Sequence, residues 1–190
     1  VYEVEMKFPV ADAADLDRRL VGLAPRFGPP VEQVDRYFAH PGRDFAKTDE
    51  ALRLRWMGRE VAITWKGPRI DSATKTRREI ELPLAAVGPA GSRTIGAWTE
   101  LLEALGFRQV MEVAKCRRPV RVPWHGSDVD VSLDAVHGLG EFIELELQAR
   151  QEEVPQARAV LESLAAALGC VGQERRSYLE LLLAKRPIVR

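Results

Sequence analysis

The sequence predicts an α+β chain: about eight antiparallel β-strands, enough to close into a barrel, with helices at the start, middle and end. Three observations predict it. Runs of strict polar–apolar alternation recur along most of the chain, and a period of two belongs to strands. Short turns join most of these runs, which favours antiparallel pairing. Between them lie stretches of helical spacing with cap residues at their ends.

Residues 1–8 place Tyr2, Val4, Met6 and Phe8 on one face and Glu3, Glu5 and Lys7 on the other. Residues 11–23 read as a helix, with Asp12 or Asp15 near its start and Pro25 beyond its end. Pro29-Pro30 marks a loop, and residues 35–39 form a short strand. Residues 51–57 set Leu52, Leu54 and Trp56 against Arg53 and Arg55. Residues 60–66 set Val61, Ile63 and Trp65 against Ala62, Thr64 and Lys66, and Gly67-Pro68 is expected to break that strand. Residues 75–82 put Lys75, Arg77, Glu79 and Glu81 on one side and Arg78, Ile80 and Leu82 on the other. Residues 88–91 are a loop, and residues 94–105 a helix closed by Gly106. Residues 109–117, 119–124 and 128–134 are three further strands, with turns at His125-Gly126 and at 137–140. Residues 142–148 set Ile143, Leu145 and Leu147 against Glu144 and Glu146. An amphipathic helix over 153–168 ends at Gly169, and residues 174–185 make a last short helix.

With 190 residues the chain can bury a sizeable core, and 46% apolar residues is an ordinary globular share. Lysine plus arginine equals aspartate plus glutamate, so the formal net charge is zero. That balance argues against coating nucleic acid or an anionic membrane. Cys116 and Cys170 match no zinc spacing and no disulfide framework. With no apolar run of membrane-spanning length and no leader pattern, the expected location is the cytoplasm.

The polar faces need explaining. Like charges recur two residues apart: Glu3 with Glu5, Glu144 with Glu146, Arg53 with Arg55, Lys75 with Arg77, Lys115 with Arg117. Such residues lie about 7 Å apart on one face of a strand, where like charges repel. A solvated outer face accounts for any one pair. The set, with acids and bases on separate strands, points instead to a polar interior. Paired carboxylates suit Mg²⁺ or Mn²⁺. Several lysines and arginines around one cavity suit a polyphosphate.

In the order of these segments the sequence resembles the CYTH superfamily, which contains class IV adenylyl cyclases and thiamine triphosphatases. Glu3-Val4-Glu5-Met6-Lys7 is similar to its opening ExExK strand. Asp35-Arg36-Tyr37-Phe38 and the run from there to Arg53-Leu54-Arg55 resemble the class IV cyclase branch most. Thr64-Trp65-Lys66-Gly67-Pro68, Lys75-Thr76-Arg77-Arg78-Glu79, Lys115-Cys116-Arg117, Leu133-Asp134 and Phe142-Ile143-Glu144-Leu145-Glu146 follow in the family's order. Ser177-Tyr178-Leu179-Glu180 resembles its closing helix. The likeness spans nearly all of residues 1–190 as a single domain.

The resemblance implies an eight-stranded antiparallel barrel with triphosphate and metal inside. It implies Glu3, Glu5, Glu144 and Glu146 as metal-side carboxylates, with Asp134 beside them. Lys7, Arg53, Arg55, Lys66, Lys75, Lys115 and Arg117 match the positions that grip phosphates, and Arg77 and Glu79 join that wall. Arg175 or Arg176 is expected to complete the site, and the sequence does not choose between them. Lys7 is a candidate to orient the reacting group. Tyr37 reads either as a packed aromatic or, facing the tunnel, as an aid to activating water. Trp56 and Trp65 lie opposite the charges and read as packing; His40 and His137 read as turn residues.

The implied activity is cyclisation of ATP to cyclic AMP and pyrophosphate with Mg²⁺ or Mn²⁺. The alternatives are hydrolysis of inorganic or thiamine triphosphate, and non-catalytic binding of polyphosphate or nucleotide. The expected partner is a small-molecule triphosphate, with no nucleic acid and no membrane; family analogy allows a homodimer.

Overall fold

The computed structural model describes residues 2–70, 76–85 and 92–186. The expected loop at 88–91 and Lys75 lie outside them. Among the described residues there are nine strands: β1 (Tyr2–Pro9), β2 (Arg26–Phe27), β3 (Val31–Ala39), β4 (Ala51–Met57), β5 (Glu60–Arg69), β6 (Arg77–Leu84), β7 (Arg108–Trp124), β8 (Ser127–Val136) and β9 (Gly140–Ala149). The helices are α1 (Ala13–Val21), α2 (Phe45–Thr48), α3 (Ser92–Ala104), α4 (Val154–Ala167) and α5 (Tyr178–Lys185).

Eight of the strands close on themselves in the order β7-β3-β4-β5-β6-β1-β9-β8, and β8 pairs back onto β7. The two-residue β2 continues the β3 edge of β7. Every pairing is antiparallel. The result is the α+β barrel with outer helices that the alternation predicts. Among the described residues its shortest seam is β1 with β6, where Tyr2–Arg78 and Glu3–Arg77 pair.

Outer apolar faces seat the helices. Val4, Met6 and Phe8 of β1 and Ile143 and Leu145 of β9 pack with Leu16 and Leu20 of α1 and Leu161 and Leu164 of α4. Leu52, Leu54 and Val61 pack with Ile95 and Leu102 of α3, with Trp56 and Trp65 at the edge. Both tryptophans are therefore packing residues. Charge burial is costly, so these strands can turn their charged face inward only if opposite charges meet there. The register arranges that: Asp35 opposes Arg55, Lys66 opposes Glu79, Arg117 opposes Asp134 and Lys7 opposes Glu144.

The start of α1 and the end of α3 follow expected caps. Asp12 caps α1 by accepting from the Asp15 amide at 2.9 Å. Gly106, at φ +89°, ends the turn after α3. The His125-Gly126 turn has positive φ at both residues (+47° and +80°), which a tight two-residue hairpin requires.

The sequence reading lacks β2 and α2 and starts β3 at Asp35 instead of Val31; three further segments differ from it. Gly67-Pro68 does not end β5, which runs on to Arg69 through a register shift against β6; a bulge tolerates proline because no ladder hydrogen bond is required there. Residues 109–117 and 119–124 are one strand, β7. Pro119 falls where pairing with β3 has ended at Arg117 and pairing with β2 begins at Val120. Its carbonyl still accepts from Gly28 at 2.8 Å. Finally, α5 begins at Tyr178, and residues 174–177 form an irregular strap.

Candidate active site

The barrel encloses a cavity of about 720 Å³, within the range of small-molecule sites. Most of the expected residues line it: Glu3, Glu5, Glu144 and Glu146, Arg53, Arg55, Lys66, Arg77, Lys115 and Arg117, and Tyr37. Lys7 and Asp134 lie behind that surface, and Lys75 lies outside the described residues.

One wall is basic and rests on two buried carboxylates. Asp35, 3% exposed, accepts from Arg55 Nε at 2.7 Å and Nη2 at 2.8 Å, and from Arg53 Nη1 at 3.1 Å. Burial opposes its ionisation, but the Arg53 and Arg55 guanidiniums outweigh that and hold the carboxyl well below its usual range. Burial likewise works against the charge on Arg53, and Asp35 together with its other neighbours, Glu79 among them, more than offsets it. Arg53 Nε is buried and finds no hydrogen-bond partner among the described residues. Such an orphaned donor is costly unless an acceptor arrives.

Asp134, 2% exposed, is the second support. It accepts from Lys115 Nζ at 2.7 Å, from Arg117 Nε at 2.7 Å and Nη2 at 2.6 Å, and from the Tyr178 hydroxyl at 3.0 Å. Its oxygens thus face cations here. Arg117 also bonds Glu144. Burial, and then the neighbouring Arg117, push the Lys115 ammonium down to about 8.

The opposite wall is acidic. Glu5 sits directly across from Glu146 in the β1–β9 ladder. Burial, then Glu3 and Glu5, push the Glu146 carboxyl up to about 8. Lys66 pairs with Glu3 at 3.4 Å and with Glu79. Burial opposes the Glu3 charge, yet Lys66 and Arg53 carry its pKa below the ordinary value. Among the described residues no three acidic, histidine or cysteine side chains form a ready cage for an ion. The donor set is nonetheless all oxygen and crowded with like charge, and a hard divalent cation would relieve that crowding.

Lys7 is fully buried, and its Nζ donates to the Arg176 carbonyl at 2.5 Å. It lies 4.0 Å from the Tyr178 ring centroid. Tyr37 sits across from Arg53 in the β3–β4 ladder. The Arg176 side chain pairs with Glu174 at 2.5 Å, and the Arg175 carbonyl accepts from Arg69 at 3.0 Å. Among the described contacts, then, both residues meet the barrel through their backbone.

Two residues of the site went unread in the sequence. Asp35 shares the parity of Tyr37 and sits opposite Arg55, so alternation extended back from Tyr37 would have found it. Tyr178 belongs to a helix, and no sequence period tells that a helix enters the end of a barrel. There it packs with Tyr37, Val113, Val136, Phe142 and Leu181.

Comparison with known proteins accords with this geometry. The CYTH domain family matches residues 1–178. A Methanocaldococcus jannaschii protein named "Putative adenylate cyclase MJ0240" is 33% identical over 184 residues, covering 94% of this chain and 97% of that one. The structure of the PH1819 protein from Pyrococcus horikoshii is 42% identical with a TM-score of 0.84, covering 97% of this chain and 99% of that one. A Hippeastrum protein, HpAC1, described as an adenylyl cyclase candidate with a dominant triphosphatase activity, has a TM-score of 0.66 at 16% identity, covering 99% and 97%. At that identity the likeness is one of fold. A barrel whose charged faces turn inward, matched along nearly its whole length, places this chain in the CYTH domain family.

Proposed function

We propose that the chain is a divalent-metal-dependent enzyme of organic triphosphates, and that it cyclises ATP to cyclic AMP with release of pyrophosphate. The observation that carries this reading is the two-walled cavity, basic on one side and acidic on the other. Arg53, Arg55, Lys115 and Arg117 bind the phosphates, with Lys66 and Arg77 closing the wall. Asp35 and Asp134 hold those cations in place from behind, so little reorganisation is needed when the anion enters. The orphaned Arg53 Nε–H gains an acceptor in a phosphate oxygen.

Glu3, Glu5, Glu144 and Glu146 would hold Mg²⁺ or Mn²⁺, which when bound supplies activation of the ribose 3′-oxygen and neutralises phosphate charge. Attack of that oxygen on the α-phosphorus breaks the bond to the β-phosphate oxygen and frees pyrophosphate. The basic wall stabilises the charge developing on the leaving group. The cyclase-like run 38–55 and the name of the M. jannaschii relative support cyclisation. Hydrolysis of inorganic or thiamine triphosphate uses the same grip and is the second reading; Tyr37, lining the cavity beside Arg53, is in place to orient a water.

The test is incubation with ATP, thiamine triphosphate and tripolyphosphate, each with Mg²⁺ and Mn²⁺, followed by product identification. Cyclic AMP with pyrophosphate is expected. Orthophosphate without cyclic product replaces cyclisation by hydrolysis, and binding without turnover removes both. Arg55→Ala is expected to weaken triphosphate binding, and Glu5→Ala to abolish metal-dependent turnover.

A further inference from the structure

We propose that Tyr178 is a positioning residue for the phosphate grip: the strap of residues 174–177 holds it in place, and it holds Asp134 against Lys115 and Arg117. This rests on the reading of Lys115 and Arg117 as phosphate-binding residues.

The strap is tied to the barrel at three successive residues, 174 to 176. The Glu174 amide donates to the Lys7 carbonyl at 2.7 Å. The Arg175 carbonyl accepts from Arg69 Nη1 at 3.0 Å, and the Arg176 carbonyl from Lys7 Nζ at 2.5 Å. Arg69 is itself fixed by Asp49, through Nε at 2.9 Å and Nη2 at 2.6 Å. Ser177 then opens α5 with reciprocal bonds to Glu180: its amide donates at 2.6 Å and its Oγ accepts at 3.1 Å. A chain held to the barrel at three consecutive residues and capped at the next has little freedom left in where it delivers Tyr178.

That residue enters the end of the barrel. The Tyr178 ring lies between two ammonium groups, 4.0 Å from Lys7 Nζ and 4.9 Å from Lys115 Nζ, and meets Phe142 edge-on at 5.2 Å. Phenylalanine would provide all of these contacts. Only the hydroxyl reaches Asp134. Among the described donors to that carboxylate, the phenol alone is uncharged, so it fixes the carboxylate without consuming a cation of the grip. Arg117 is shared between Asp134 and Glu144 on the acidic side. Anchoring Asp134 keeps Lys115 and Arg117 on their own wall. Lys7 and Arg69, in this arrangement, act on the site through Tyr178.

Tyr178→Phe isolates the hydroxyl, and Arg69→Ala loosens the strap from outside the cavity. Each is tested by residue-resolved acetylation of lysines in the ligand-free protein and by calorimetric titration with tripolyphosphate and Mg²⁺. Both variants are expected to show several-fold faster labelling of Lys115, with Lys66 unchanged as the control for a loosened barrel. Affinity is expected to fall about tenfold in Tyr178→Phe, the loss typical of one hydrogen bond to a charged group. The loss is expected to be non-additive with Lys115→Met, since the two residues act as a unit. Arg69→Lys is expected to restore part of the protection. Unchanged Lys115 labelling in Tyr178→Phe overturns the proposal, as does unchanged affinity in that variant when the wild-type protein binds. If wild-type protein retains no tripolyphosphate, the proposed function falls, and the labelling still decides the role of Tyr178.

Discussion

Arg53 and Arg55, or Lys115 and Arg117, would repel each other on a bare strand. Each pair instead shares one buried aspartate, Asp35 or Asp134, supplied by a neighbouring strand. The pKa of Asp35 is held below its ordinary 3.8, so its stabilisation is complete above that value and is lost as pH falls through the folded one. Asp35→Asn is therefore expected to flatten the acid limb of the stability profile. At neutral pH it is expected to cost about 3–5 kcal/mol, because it removes the counter-charge that buried Arg53 and half-buried Arg55 share. Thermal and urea unfolding across pH 2–7 measure both effects.

At the scale of elements, alternation located most strands, and a cap residue located the start of α1. Proline and glycine misled at Gly67-Pro68 and Pro119, since whether a strand tolerates proline depends on what pairs with it there. Residues 174–177 carry helical composition but are held as a strap by bonds to Lys7 and Arg69. The outer helices are stabilised by burial. Leu161 of α4 is fully buried between β1 and β9, and Leu161→Ala is expected to cost about 2–5 kcal/mol from lost transfer energy and the cavity left behind. Val171→Ser, at a position 76% exposed, serves as the near-neutral control. Urea midpoints compare the two.

For the whole molecule, closing the barrel gathers acids from β1 and β9 into one poorly hydrated space. Glu146 carries the cost: with its carboxyl raised to about 8, the folded protein loses stability as pH rises from the ordinary carboxyl range to that value. Glu146→Gln is accordingly expected to raise the melting temperature of the metal-free protein at mildly alkaline pH. It is also expected to lose the added stabilisation that Mg²⁺ with tripolyphosphate gives the wild type, which linkage puts at about 2.7 kcal/mol when ligand is at a hundred times its Kd. A wild-type protein whose melting temperature ignores both ligands would remove the metal role from this wall.

The opening strand, the paired charges and the barrel they imply were determined by the sequence alone, because a period of two and the sign of a side chain are local properties. So was the membership of Glu3, Glu5, Arg53, Arg55, Lys115, Arg117, Glu144 and Glu146 in one charged set. Which charge faces which was decided only by the tertiary structure, since cross-strand register depends on closure around the whole barrel. Closure made Asp35 and Asp134 the hidden supports of the basic wall. The path of residues 174–178 placed Tyr178 inside the barrel and Lys7 behind it, because a helix end finds its seat through contacts distant in sequence.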